Sequence, residues 1–311
     1  MAGGGGGNPF RNRTPEQMRS AIRREERNTI DVQFAISVGE YLGNLLGRFN
    51  GRDVALVRTR IDDAKAAVQE ILSGTFDQIF GGSVAKHTYV DGLSDIDALL
   101  LLNDTELDEQ TPRGALRKLK RALEGGLNGV DVTVGRMAVT LTYPDGMEIQ
   151  LLPAMRAGTK IMVPSARTEG WSKIDPDKFR EALTRRNTEC GGKLVPTIKL
   201  AKAILGNLQA PVKISGYHVE SLAIAAFRGY SGTKSTVDML PHFFEKARNL
   251  ILQPIRDSTG QSIHVDEYLG SENSRERQLA SHLLARIAKR IRSANLSQSM
   301  QQWRDLFDGD F

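Results

Sequence analysis

The segment that most constrains this chain is short: Ser94-Asp95-Ile96-Asp97 running directly into Ala98-Leu99-Leu100-Leu101-Leu102. The apolar run is continuous, as in a strand buried on both faces. The two aspartates stand at i and i+2, positions that share one face of a strand. Two like charges at the mouth of a buried strand repel each other and lose hydration, which is costly unless a cation lies between them. A hard, oxygen-seeking ion such as Mg²⁺ suits two carboxylates and keeps phosphate oxygens as further ligands. Upstream, Gly81-Gly82-Ser83 offers the other half of phosphate chemistry. Glycines let the backbone approach a phosphate closely, the N–H groups of such a turn form an anion nest, and Ser83 adds a hydroxyl donor. Alone, an Asp-x-Asp pair reads as a solvated strand edge and Gly-Gly-Ser as a loop. Their order, with the Gly-Ser turn first, then the acidic pair, then the apolar strand, points to a phosphate-handling site.

Around this segment the hydrophobic period changes twice. Residues 1–13 are Gly-rich with few apolar side chains and read as a flexible tail. Thr14-Pro15-Glu16-Gln17 is a helix start with the elements of a capping box, and Ile22, Ile30, Phe34, Val38, Tyr41 and Leu45 continue it at helical spacing as far as Asn50-Gly51. A second helix is predicted over 54–72. Strand-type runs follow at 76–80, 96–102, 130–134, 138–143 and 147–152, with Pro144-Asp145-Gly146 as a hairpin turn and one helix between Thr111-Pro112 and Gly125-Gly126. Beyond Pro153 comes a polar stretch with Arg156, Lys160 and Arg167, then helices over 176–189, 193–207, 216–229, 236–252 and 275–294. This order predicts an α+β protein of two lobes with a cleft between them: a mixed-sheet core lobe over 14–165 and a helical C-terminal lobe over 166–311.

Composition narrows the setting. No run approaches the ~20 apolar residues that cross a bilayer, and Met1-Ala2 followed by Gly3 to Gly7 has neither the basic flank nor the apolar core of a signal peptide. The single cysteine, Cys190, can form no internal disulfide and no thiolate metal cluster. A cytoplasmic protein with no membrane association is the expectation. Net charge is +5, from 42 basic and 37 acidic residues. That excess suits a phosphate-bearing ligand, but it is too small and too dispersed to require a stable nucleic-acid partner.

Gly82-Ser83, Thr88 and Ser94-Asp95-Ile96-Asp97 resemble the signature of the DNA polymerase β-type nucleotidyltransferases. The closer resemblance is to the subgroup of oligoadenylate synthases, animal cyclic GMP–AMP synthase and the bacterial CD-NTases of antiphage signalling. Met147-Glu148-Ile149-Gln150-Leu151-Leu152-Pro153-Ala154 resembles that subgroup's strand carrying a third acid. Lys199-Leu200-Ala201-Lys202 and Ser215-Gly216-Tyr217-His218-Val219-Glu220 resemble its helical-lobe motifs. The resemblance runs from about residue 14 to at least residue 229. It implies the two-lobed polymerase β-like fold with the active site in the cleft. It also implies two Mg²⁺ ions, replaceable by Mn²⁺, on the catalytic residues Asp95 and Asp97. Gly82 and Ser83 would hold a triphosphate. Lys202, with Lys199 as second candidate, would neutralise its β and γ phosphates, and Tyr217 would stack on a nucleobase. Read from residue chemistry alone, the two lysines suit an exposed helical face and Tyr217 a core position.

One position departs from the pattern. Relatives carry aspartate just before the aliphatic pair and Pro-Ala, where this chain has Gln150. Glutamine lends a carbonyl oxygen but no charge. Glu148 shares the strand face but lies ~6.5 Å away along the strand, so it serves as third metal ligand only if the strand is shifted or bulged. Of the two, Glu148 is the favoured third catalytic and metal-binding acid, with Gln150 beside the nucleotide. The leading function is condensation of nucleoside triphosphates, ATP among them, into a cyclic or short linear second messenger. It would work with a separate activator protein and a downstream effector. A template-independent RNA 3′-end nucleotidyltransferase is an alternative, though aromatics are only 6% of the chain and no basic–aromatic track for single strands stands out. Gln150 motivates another: an inactive nucleotide-binding sensor of the same fold.

Overall fold

Among the described residues, a sheet with its covering helices closes one large hydrophobic core and helices alone close another. The structure is a computed structural model and describes residues 14–20, 32–51, 54–71, 75–79, 96–103, 111–157, 160–165, 169–255 and 267–309. The expected helix start is present. Thr14 N–H donates to Gln17 Oε1 at 2.9 Å and Gln17 N–H to Thr14 Oγ1 at 3.2 Å, the reciprocal bonds of a capping box. Residues 21–31 of that expected helix lie outside the described residues. The apolar period resumes as α1 (Val32–Phe49), which buries Phe34, Val38, Leu42 and Leu45.

The sheet is built on β2 (Ile96–Asn103). It pairs antiparallel with β1 (Thr75–Ile79) and parallel with β5 (Glu148–Ala157), and β4 (Val139–Thr142) and β3 (Asp131–Val134) follow β5 outward in antiparallel array. The far end of β5 turns into β6 (Lys160–Pro164) and β7 (Trp171–Ile174). Two helices, α2 (Val54–Ile71) and α3 (Pro112–Gly126), cover one face. Their Val57, Ile61, Leu116 and Leu119 meet Ala98, Leu100, Ile149 and Leu151. The alternate residues Leu99 and Leu101 pack on the other face with Ala154, Ile161 and Val163. The apolar run of β2 is therefore buried on both sides, as its continuity requires.

The second core joins α4 (Pro176–Glu189), α5 (Leu194–Asn207), α6 (Gly216–Ala226), α7 (Thr236–Leu250), α8 (Arg275–Leu296) and α9 (Met300–Asp308). Side-chain caps start most of them: Asp175, Ser215, Ser235, Ser274 and Ser299 each accept a backbone N–H of the first turn. The expected division at residue 165 groups α1 with the sheet, yet its buried residues pack in this helical core, against α5 and α7.

Three features differ from the sequence expectation. The strand expected over 147–152 runs on to Ala157, through Pro153. Pairing with β4 ends at Leu151 and pairing with β6 begins at Met155, so Pro153 falls in a gap on that edge, while on the other edge it stays in register with Leu100 of β2. The stretch read as polar contains β6 and β7, whose Ile161 and Val163 complete the second face of the sheet. Finally, α9 packs Trp303, Leu306 and Phe307 into the helical core after a turn at Gln298, where φ is 49°. No helix of the described residues is long and apolar enough to cross a membrane.

Candidate active site

The β2–β5 register is continuous from Ile96↔Ile149 to Leu101↔Ala154 and makes Gln150 the partner of Asp97, at the ~4.8 Å spacing of paired strands. On its other edge β5 sets Gln150 against Thr140 and Glu148 against Thr142. Ile149 and Leu151 face the core under α2 and α3, so Glu148 and Gln150 belong to the opposite face. There Glu148 is exposed and Gln150 half-buried. A place for Glu148 opposite Asp97 needs a shift or bulge, and both ladders of β5 run through this region without one. Gly82, Ser83 and Asp95 lie outside the described residues, as does the side chain of Asp97. Carboxylates and a carboxamide at positions 95, 97, 148 and 150 make an oxygen-only donor set, which fits a hard divalent cation.

The start of β5 is held by its hairpin. Gly146 N–H donates to Tyr143 O and Tyr143 N–H to Met147 O, both at 2.9 Å, closing the turn with Gly146 at φ 83°. Both oxygens of Asp145 accept from the Arg60 guanidinium at 2.9 Å, and Oδ1 also accepts Met147 N–H at 3.2 Å. The hydrogen bond from Arg60 holds the Asp145 carboxyl below the usual carboxylate range, with the Met147 N–H adding to it. The same guanidinium lies 4.0 Å from the centroid of the Tyr143 ring. Arg60 thus ties the β4–β5 turn to α2, three residues before Glu148.

On the helical side, α5 is buried around nearly its whole circumference, and the two candidate lysines are buried with it. Lys202 Nζ donates to Glu220 Oε1 at 2.7 Å, with side chains 7% and 1% exposed. The Lys199 ammonium donates to Asn50 Oδ1 at the end of α1. Burial, and then the neighbouring Lys202 charge, lower the Lys199 pKa. The reading of this pair as an exposed face does not hold. Tyr217 is half-buried against the helical core, its ring 4.6 Å from that of Phe179 and tilted by 50°. Beside it, Tyr268 OH accepts Ser215 N–H at 3.0 Å and bonds His218 Nδ1 at 2.9 Å.

Sequence reasoning quoted Glu220 within a motif without giving it a role, and missed Phe179 and the Arg60–Asp145 pair. Glu220 carried a signal, as the one acid in the apolar run of α6. Arg60 and Asp145 are 85 residues apart and carried none.

Residues 50–187 match the family model of the Second Messenger Oligonucleotide or Dinucleotide Synthetase domain. No curated protein matches the sequence. Among solved structures, the Bradyrhizobium diazoefficiens CD-NTase CdnG in complex with GTP aligns at a TM-score of 0.63 and 15% identity, over 81% of this chain and 89% of that one. Escherichia coli MS115-1 CdnC with ATP aligns at 0.64 and 13% identity, over 83% and 92%. The same CdnC in complex with HORMA-deltaN aligns at 0.59 and 12% identity, over 92% and 99%. The Vibrio cholerae cyclic AMP-GMP synthase DncV with the linear intermediate 5′ pppA(3′,5′)pG aligns at 0.60 and 11% identity, over 96% and 91%. The chain therefore has the two-lobed, polymerase β-like fold of the bacterial CD-NTases with which it aligns, and its residues 50–187 are similar to the Second Messenger Oligonucleotide or Dinucleotide Synthetase domain.

Proposed function

We propose that the protein is a metal-dependent nucleotidyltransferase that joins nucleoside triphosphates, ATP among them, into a cyclic or short linear oligonucleotide and releases pyrophosphate. The product would act as a second messenger in antiphage defence, with a separate protein as activator and another as effector. The observation that carries this reading is the β2–β5 register, which sets Asp97 beside Gln150 within the stretch that matches the synthetase family.

In this reading Asp95 and Asp97 hold two Mg²⁺ ions, with Mn²⁺ able to replace them. Gln150 adds a neutral oxygen beside Asp97, and Glu148 is the nearest acid on the same strand. The ions supply activation of the attacking hydroxyl and charge neutralisation at the leaving pyrophosphate. Gly82 and Ser83 bind the triphosphate through the turn N–H groups and the hydroxyl. Lys202 and Lys199 place positive charge for the β and γ phosphates, and Tyr217 offers a ring face to a base.

The test is incubation of the protein with mixed triphosphates and Mg²⁺, with products read as phosphatase-resistant oligonucleotides by mass spectrometry. Wild type should yield such products, and Asp95→Asn should not. No product in any activated condition overturns the reading. The uncharged Gln150 beside Asp97 favours one other outcome, a nucleotide sensor without turnover. Calorimetric binding of triphosphate, with no product even in Mn²⁺, would establish that instead.

A further inference from the structure

We infer that Glu220 is a positioning residue for triphosphate binding: it holds the Lys202 ammonium against the first turn of α6 and so fixes a phosphate-binding charge relative to the Tyr217 ring. The inference rests on the reading of Lys202 as a phosphate ligand.

Three observations lead to it. An ammonium as buried as that of Lys202 needs an anion, and Glu220 supplies it at 2.7 Å from a side chain that is itself 1% exposed. The location is also unusual for a lysine. A Cβ added to Gly216, the first residue of α6, would stand 3.3 Å from both Cε and Nζ of Lys202. The ammonium therefore lies against the helix N-terminus, where unpaired N–H groups carry positive partial charge. A cation gains nothing from that end of a helix, whereas an anion attracted there meets the N–H groups and the lysine together. Glu220, one turn further in, offsets the repulsion and keeps the lysine in place.

The turn in question is firmly held. Ser215 Oγ caps it by accepting His218 N–H at 3.2 Å, and Tyr268 OH bridges Ser215 N–H and His218 Nδ1. Tyr217 projects from the same turn and packs on Phe179. Lys202, Gly216, Tyr217 and Glu220 thus form one unit with a fixed spacing between a charge suited to phosphate and a ring suited to a base.

The experiment measures ATP and AMP affinity by calorimetry, together with the KM and kcat for ATP and the Tm, on four variants. Lys202→Met should reduce the preference for ATP over AMP more than any single change at Glu220. Glu220→Gln keeps an acceptor but removes the charge. It should cut that preference by about tenfold and raise KM more than it lowers kcat. Glu220→Asp, with the carboxylate withdrawn by one methylene, should restore part of the preference. It also serves as the readout if the glutamine variant does not fold. The double variant Lys202→Met/Glu220→Met fills the site with apolar side chains and should recover the wild-type Tm without recovering the preference. If Glu220→Gln or Glu220→Asp lowers Tm while the ATP-to-AMP ratio stays at the wild-type value, Glu220 is only structural and the inference is overturned. If Lys202→Met itself leaves the ratio unchanged, the phosphate role of Lys202 is what fails, and the inference fails with it.

Discussion

Replacing Gln150 by aspartate places a carboxylate directly across the β2–β5 ladder from Asp97. At the ~4.8 Å spacing of paired strands, two unit charges repel by about 3.5 kcal/mol at an effective dielectric of about 20. Gln150 is half-buried, so water at its exposed side reduces this to about 1–2 kcal/mol. Without divalent ions, Gln150→Asp should therefore lower Tm by about 2–6 °C. Millimolar Mg²⁺ should reverse that loss, because the new carboxylate then neighbours a cation rather than only another anion. The Mg²⁺-induced rise in Tm should exceed that of wild type, and turnover should reach its plateau at lower Mg²⁺. The assay is thermal unfolding of both proteins across a Mg²⁺ titration, followed by product formation at the same concentrations. A Tm loss that Mg²⁺ does not relieve, or an equal Mg²⁺ response in the two proteins, would refute a shared ion between positions 97 and 150.

Three further outcomes follow from the geometry. Because the folded-state pKa of Asp145 is lowered by Arg60, its contribution to stability is present above the usual carboxylate pKa and disappears as pH falls through the folded value. The Tm gap between wild type and Asp145→Asn should then be constant above about pH 5 and close as pH falls below the usual carboxylate range, and a gap independent of pH would exclude the ion pair in solution. A Cβ on Gly126 would stand 2.4 Å from the Ala67 Cβ and 2.9 Å from its Cα. Gly126→Ala should therefore force α2 and α3 apart at a cost of about 1–3 kcal/mol, read by urea unfolding. Arg277 is buried and donates to the carbonyls of Ile251, Gln253, Gly270 and Ser271. Lysine cannot reproduce that fork, so Arg277→Lys should cost about 3 kcal/mol, and a loss under about 0.5 kcal/mol would contradict the fork's role.

What the sequence revealed, and what it hid, has a physical pattern. Local chemistry was legible. The capping box at Thr14, the cap at Thr111 and the turn at Pro144-Asp145-Gly146 depend on residues within a few positions of one another. So does the continuous apolar run that β2 buries on two faces. Features set by distant partners were not. Proline normally ends a strand, and only the places where β4 and β6 pair explain why Pro153 does not. Lys199 and Lys202 read as solvent-facing by residue type. They are buried and paired with residues distant in sequence, Lys199 with Asn50, 149 residues away, and Lys202 with Glu220, 18 residues away. The substitution at the third acid was visible from the spacing to Pro153-Ala154. Its neighbour across the sheet needed the register to identify. Gly82, Ser83 and Asp95 lie outside the described residues.

The most direct measurement is mass spectrometry of the products formed from mixed triphosphates and Mg²⁺ by wild type and by Asp97→Asn at matched folded concentrations. Wild type should release pyrophosphate and form a phosphatase-resistant oligonucleotide, while the variant, with its neighbour Gln150 already uncharged, should fall to background. An Asp97→Asn protein that still makes the product would contradict a cation held at the mouth of β2.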